Sequence, residues 1–221
     1  VRRYVDARAI LDIEVLDSGQ QLSLDFHHML EVESTSVDQQ KVKWQQADHK
    51  LILEMPFKPD KKQKIQVEVQ YRGLLPQTES GGDIVGLLHD GRNLVAYLEP
   101  DGAHHFFPCN DHPSDKATYD LMVSVPNGQI VGAIGELVAE KPAEKIGYRL
   151  FHWRTRIPTA TYLVALGAGK YSLIKRESGR VPVWDYCEPK DRDRIEKSLS
   201  KVPAMIPYFE GFFGTYPFEK Y

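Results

Sequence analysis

The stretch IQVEVQYRG, Ile65–Gly73, alternates apolar and polar residues: Ile65, Val67 and Val69 against Gln66, Glu68 and Gln70. Successive side chains of a β-strand point to opposite faces, so this period of two predicts a strand with one face laid on a core. The same pattern predicts strands at Leu51 and Leu53 before Met55, at Leu121, Val123 and Val125 before Pro126, and at Leu163–Leu166 before Gly167. Between Val5 and Lys175 there are ten or more such runs and no convincing helix, which makes this an all-β region. Turn residues punctuate it at Asp17–Gly19, Ala47–His49, Lys58–Asp60, Asp90–Gly91 and Asn127–Gly128. Asn127 and Gly128 both tolerate positive φ, which predicts a tight hairpin of the primed type. Pro76–Gly82, with Gln, Thr, Glu, Ser and paired Gly, is expected to be a flexible loop.

The character changes after Arg180. Val181, Val183 and Trp184 predict one more short strand, and Pro189 then opens a charged stretch suited to helix entry. Ile195, Leu199 and Val202 follow a helical stripe, while Pro203 and Pro207 must kink or restart the helix because neither has an N–H to donate. Ile206, Phe209, Phe212 and Phe213 form an apolar face that must pack on something, and Gly214 is placed to cap the end.

At 221 residues the chain is longer than one typical domain and shorter than two. Its 28 basic and 31 acidic residues are interspersed, which argues against a nucleic-acid or membrane-surface partner. The local excesses, Arg2 with Arg3 and the cluster Lys58, Lys61, Lys62 and Lys64, read as solvated turns. No apolar run is long enough to span a bilayer, so a soluble chain is expected, cytoplasmic or periplasmic and secreted alike. Cys109 and Cys187 fit no zinc spacing and read as free buried thiols, with a disulfide left open.

Catalytic motifs are absent. There is no H-E-x-x-H, no G-x-S-x-G and no phosphate-binding loop around Gly169 and Lys170. The histidine pairs are His27 with His28 and His104 with His105; adjacent residues of a strand point to opposite faces, so the pairs are expected to be poor joint metal ligands and ordinary surface or core histidines. Glu99 follows the apolar run Leu94–Leu98 and precedes Pro100 and Gly102, which puts a carboxylate where a strand breaks into a loop. By itself such a residue reads as solvated or salt-bridged.

The segment HHFFPCNDHPSDKATYDLMVSVP, His104–Pro126, resembles one found in the aminopeptidase N family of gluzincins. The family pattern is aromatic-Pro-Cys-x-Asp-x-Pro-x-x-Lys-Ala-Thr, matched by Phe107, Pro108, Cys109, Asp111, Pro113, Lys116, Ala117 and Thr118. LSLDFHHMLEVESTSV, Leu22–Val37, and IQVEVQYRG resemble family strands, and FFGTYPFEKY, Phe212–Tyr221, resembles the close of the first catalytic-domain helix. The resemblance implies an all-β, saddle-like sheet or sandwich domain over residues 1–176. Residues 177–221 would then be a linker strand and first helix of a truncated thermolysin-like catalytic domain.

It further implies a zinc aminopeptidase as the full-length parent, with zinc bound there, beyond Tyr221, and with no metal ligand, cofactor or catalytic residue in these residues. The expected partners are a peptide with a free amino terminus and the catalytic domain of the same chain. Family members place Gln-x-Glu or Gln-x-Gln before the Pro-Cys segment, and Glu99 falls at the second position, where it resembles a ligand for the substrate α-amine. Tyr97 stands at the first, where its hydroxyl donates or accepts in place of an amide. The alternatives are a non-catalytic protein-interaction module of the same fold, separated by whether H-E-x-x-H follows, and an epoxide hydrolase branch that favours Gln at the Glu99 position.

Overall fold

The computed structural model describes residues 4–80 and 82–221, so Arg2 and Arg3 lie outside the described residues. The opening pattern belongs to the strand Lys64–Leu74, which sits inside a four-stranded antiparallel sheet between Tyr4–Glu14 and Leu30–Val37, with Gln40–Lys41 at the edge. Ile65, Val67, Val69 and Tyr71 are buried while Gln66 and Gln70 are exposed, as the alternation requires. A slip of one residue would send that whole face to water, so burial sets the register that pairs Tyr4 with Leu74 and Glu14 with Lys64.

Three further sheets share the core of this one. Gln21–Asp25, Lys50–Glu54 and Trp44–Ala47 form one; Asp120–Pro126, Tyr148–Arg154 and Glu136–Pro142 form another. A five-stranded sheet runs in the order Ile130–Ala133, Leu166–Gly169, Leu94–Tyr97, Asp83–His89 and Gln77–Ser80. Leu51, Val67, Leu87, Phe151 and Trp153 from these sheets, with Phe26 just beyond the strand Gln21–Asp25, meet in one continuous apolar core. The fold is all-β, and among the described residues α-helix occurs only near the C-terminus. Among the described residues no helix is long and apolar enough to cross a membrane.

Three local expectations change. Within Pro76–Gly82, Gln77–Ser80 is a strand paired with Asp83–His89, and the Gln77 side chain donates to the Leu87 carbonyl at 2.8 Å; Gly81 lies outside the described residues. Paired backbone outweighs the loop-like composition there. Asn127–Gly128 is a turn but not a hairpin: only Gly128 has positive φ, and the chain passes from Asp120–Pro126 in one sheet to Ile130–Ala133 in another. Leu163 ends a short 3-10 turn, Thr161–Leu163, and the strand begins at Leu166. It continues through Gly169 because that residue pairs with Ile130, and Asn93 packs so close to its backbone that an added Cβ would lie 2.2 Å from the Asn93 Oδ1.

The C-terminal part builds a smaller second core on the hairpin Ser172–Ser178 and Val181–Cys187. A 3-10 turn, Pro189–Asp191, and a helix, Arg192–Ser198, precede a second helix, Val202–Phe213, so the predicted helix is broken at 199–201. Pro203 stands in the first turn of the second helix, where a missing N–H costs nothing. Ile206 packs on Val181 and Val183, whereas Phe209, Phe212 and Phe213 remain exposed. The closing residues return to both cores. The Trp184 N–H donates to the Tyr221 carbonyl and the Tyr221 N–H to the Pro182 carbonyl, and the Lys220 ammonium lies over the Trp153 ring at 4.6 Å while donating to the Ala133 carbonyl. Loss of hydration in that site lowers the Lys220 pKa to about 8.

Pro207 lies inside the second helix and cannot donate to the carbonyl of Pro203; the buried Ser178 hydroxyl does so instead. Ser178→Ala is expected to cost about 1 kcal/mol, the usual net worth of a hydrogen bond. Pro207→Ala restores the backbone donor, so the serine deletion should cost less in that background. Urea unfolding of the four proteins of this double-mutant cycle checks it, and strict additivity would show that Ser178 does not stand in for the missing N–H.

Candidate functional site

Leu94–Tyr97 lies inside the five-stranded sheet, paired with Leu166–Gly169 on one side and Asp83–His89 on the other. Ala96 and Leu98 turn into the core, which leaves Val95, Tyr97 and Glu99 exposed on the opposite side. Glu99 opens the turn that follows, at the strand-to-loop break expected for it. The turn is closed by the Gly102 N–H donating to the Leu98 carbonyl at 2.7 Å. The turn packs closely here, for an added Cβ at Gly102 would stand 3.1 Å from the Val85 Cβ and 3.2 Å from the Leu98 Cα. Among the described residues no cation or hydrogen-bond donor pairs with the Glu99 carboxylate. A salt-bridged structural glutamate is therefore not what the fold contains.

Gly102 leads directly into the short 3-10 turn Ala103–His105, and there the two histidine pairs meet. Neither pair is in a strand. His27 and His28 occupy the turn between Gln21–Asp25 and Leu30–Val37, and their rings stack at 4.5 Å instead of diverging. His49 joins them from the two-residue hairpin turn Asp48–His49, where both residues have positive φ. The His27 ring lies 4.4 Å from His49 and 4.8 Å from His105, and His104 packs on His105 at 4.3 Å. Five of the eight histidines thus form one cluster. Backbone hydrogen bonds pin it: Phe26 N–H to the His49 carbonyl at 2.8 Å and His27 N–H to the His104 carbonyl at 3.0 Å.

Burial, then the neighbouring His105, His49, His28 and His104, lowers the His27 pKa to about 3. Burial, then His104, lowers His105 to about 4. His49 is also lowered, by burial first and then by His28 and His104, with Asp48 opposing. These rings are neutral at physiological pH and present lone pairs.

Asp111 holds one side of the cluster. Its carboxylate accepts from the His104 backbone N–H at 3.1 Å, from the His104 Nδ1 at 2.8 Å and from the Thr161 hydroxyl at 2.8 Å. Burial alone would raise its pKa, but those hydrogen bonds hold it below the ordinary carboxylate value. Its own N–H donates to Asp25, which also pairs with Lys50. Cys109, buried and reduced, bridges to Asp25 through two backbone bonds, and Cys187 is likewise buried and free. Sequence reading found Glu99 and both pairs but missed His49 and the convergence. The available signal was the turn residues flanking each pair, which argue against strand geometry.

The peptidase M1 N-terminal domain is the family whose profile matches residues 6–163. The chain is similar to probable aminopeptidase 1 of Sulfurisphaera tokodaii, at 28% identity over 203 residues, covering 91% of this chain and 24% of that protein. It is similar to the leucyl aminopeptidase of Saccharolobus solfataricus, at 31% identity over 149 residues, covering 65% of this chain and 19% of that protein. An M1 zinc metallopeptidase from Deinococcus radiodurans has the same fold, with a TM-score of 0.85 at 22% identity, over 100% of this chain and 51% of that one. The chain thus spans about half of that solved structure and a quarter or less of these two curated relatives.

The buried imidazoles set a pH dependence. Their folded pKa values lie below the ~6.5 of free imidazole, so below that pH the unfolded chain binds more protons and stability falls. The contribution is complete above ~6.5 and is lost as pH drops towards the folded values, by up to about 1.4 kcal/mol per pH unit for each ring. Urea unfolding between pH 7 and 5 with a chelator present should show this slope, and His105→Gln should remove one ring's share. An unchanged slope in that variant would mean that His105 is not buried as the neutral form.

Proposed function

This chain belongs to the peptidase M1 N-terminal domain family, and we propose that it is the amino-terminal domain of a zinc aminopeptidase that removes amino-terminal residues from peptides. Within that protein it contributes recognition of the substrate α-amine through Glu99, with Tyr97 beside it. The observation that carries this reading is the Glu99 carboxylate, exposed and without a partner among the described residues, on a turn closed by the Gly102 N–H bond to the Leu98 carbonyl. A carboxylate held so is preorganised for a cation brought from outside.

An ammonium on Glu99 makes a charge-assisted hydrogen bond worth roughly 1.5–3 kcal/mol, which an acylated amine forfeits. Selectivity for free amino termini follows, because Glu99 measures one residue from the end. Residues 177–221 read as the start of the catalytic domain, supported by their separate small core and by the exposed Phe209, Phe212 and Phe213. The partners on this reading are the peptide and that domain, with neither nucleic acid nor membrane involved.

The Deinococcus radiodurans neighbour is a zinc metallopeptidase, and zinc in the parent protein is part of the proposal. When bound, zinc polarises the scissile carbonyl and activates water. The residues here do not fit that role: there is no H-E-x-x-H, and the closest set of donor groups, His27, His28 and His49, sits on two loops and not on one helix face. No catalytic step is assigned to them.

In the full-length protein, Glu99→Ala should lower kcat/KM on an aminoacyl substrate by about ten- to a hundredfold, since each ~1.4 kcal/mol is tenfold. Glu99→Gln should be milder, keeping a hydrogen bond without the charge. Kinetics and thermal melting on the same preparations decide it, for unchanged kcat/KM with a lowered Tm would remove Glu99 from the site.

A further inference from the structure

The turn conformations of the histidine segments remove the reason for treating them as poor joint ligands. His27, His28 and His49 each present a ring nitrogen, and these atoms all lie within 4.8 Å of one another. Two imidazoles on a tetrahedral ion have their nitrogens about 3.4 Å apart, given a bond of about 2.0–2.1 Å, so side-chain rotation of about an ångström closes the set. We propose that His27, His28 and His49 form a binding site for one borderline divalent transition-metal ion such as Zn2+, with His104 as the flanking imidazole.

The donor chemistry decides the class of ion. An all-imidazole set suits zinc, copper, nickel and cobalt, and rejects magnesium and calcium, which demand oxygen ligands. His27 is buried while His28 and His49 are exposed, so the ion enters from solvent and keeps open positions for water. Both loops are fixed before any ion arrives. The His27 carbonyl accepts from Gln46 Nε2 at 3.1 Å, the His27 N–H is bonded to His104, and the His49 carbonyl to Phe26.

His104 lies 6.3 Å from His27 and 6.0 Å from His49, ring to ring. Its Nδ1 is committed to the Asp111 carboxylate at 2.8 Å, which leaves Nε2 as the lone pair. That carboxylate–imidazole pairing is the arrangement that orients metal-binding histidines elsewhere. One contact opposes the site: Met29 N–H donates to the His27 Nδ1 at 3.2 Å. Ligation through either ring nitrogen breaks it, since Nδ1 must either bind the ion or carry the proton. Met29 is half-exposed in the turn, where water replaces that bond.

The test is calorimetric titration of the chelator-stripped chain with Zn2+ and, separately, with Mg2+. One Zn2+ per chain and no Mg2+ are expected. His28→Ala and His49→Asn, the latter keeping a residue that tolerates positive φ, should each weaken Zn2+ by at least ~tenfold, no less than the loss of an outer-shell partner costs. His112→Ala should leave it unchanged. Saturating Zn2+ should raise the Tm of the unaltered chain and of His112→Ala but not of the two cluster variants. If His49→Asn fails to fold, His28→Ala, an exposed position, still decides. The proposal is overturned by the absence of stoichiometric uptake, or by Zn2+ uptake that survives His28→Ala at full affinity.

Discussion

The buried carboxylate of Asp111 sets where three distant parts of the chain lie. It accepts from His104 and Thr161, and its own N–H donates to Asp25, so the strand ending at Asp25, the turn at His104 and the segment at Thr161 must converge on one point. Taking a charge out of water opposes the arrangement, and the hydrogen bonds to the charged form outweigh that cost. Such a network is worth keeping only when complete, since a missing partner leaves a buried charge unsatisfied. Tyr71 adds a second tie by donating its hydroxyl to the Phe106 carbonyl at 2.8 Å, which joins the four-stranded sheet to the same segment.

From that convergence the rest follows by short steps. The 3-10 turn at Ala103–His105 is held by Asp111 through His104 and follows directly on Gly102, whose N–H closes the turn that carries Glu99. The same anchoring brings His104 and His105 onto His27 and, through the hairpin tip, His49. Loops positioned by a packed scaffold are where binding groups concentrate, and here one scaffold serves both the exposed carboxylate and the imidazole cluster.

The C-terminal unit obeys a different economy. Its core is small, Val181, Val183 and Ile206 with Val202 and Tyr216, and it leaves a row of phenylalanines in water. What holds it to the larger core is specific: Lys220 between Trp153 and the Ala133 carbonyl, and the Trp184 ring edge-on to the Trp153 ring at 5.7 Å. The hairpin Ser172–Ser178 and Val181–Cys187 spans the position where the composition of the chain changes, so that position lies in paired strands.

Local periodicity made the strands legible, because the two-residue repeat of IQVEVQYRG is a property of neighbouring residues and survives without knowledge of partners. Segments of mixed composition were not legible in that way. Gln77–Ser80 is a strand only because Asp83–His89 pairs with it, and Asn127–Gly128 fails to make a hairpin only because the following strand is claimed by another sheet. The exposed carboxylate at Glu99 was readable from the strand-to-loop break, while its lack of a partner was not. The sequence by itself determined an all-β chain, its principal strands and the chemical groups available to a site. Only the tertiary structure decided that His27, His49 and His104 share one place, since contacts between residues far apart in the chain come from sheet pairing and the buried Asp111 network, which no local pattern encodes.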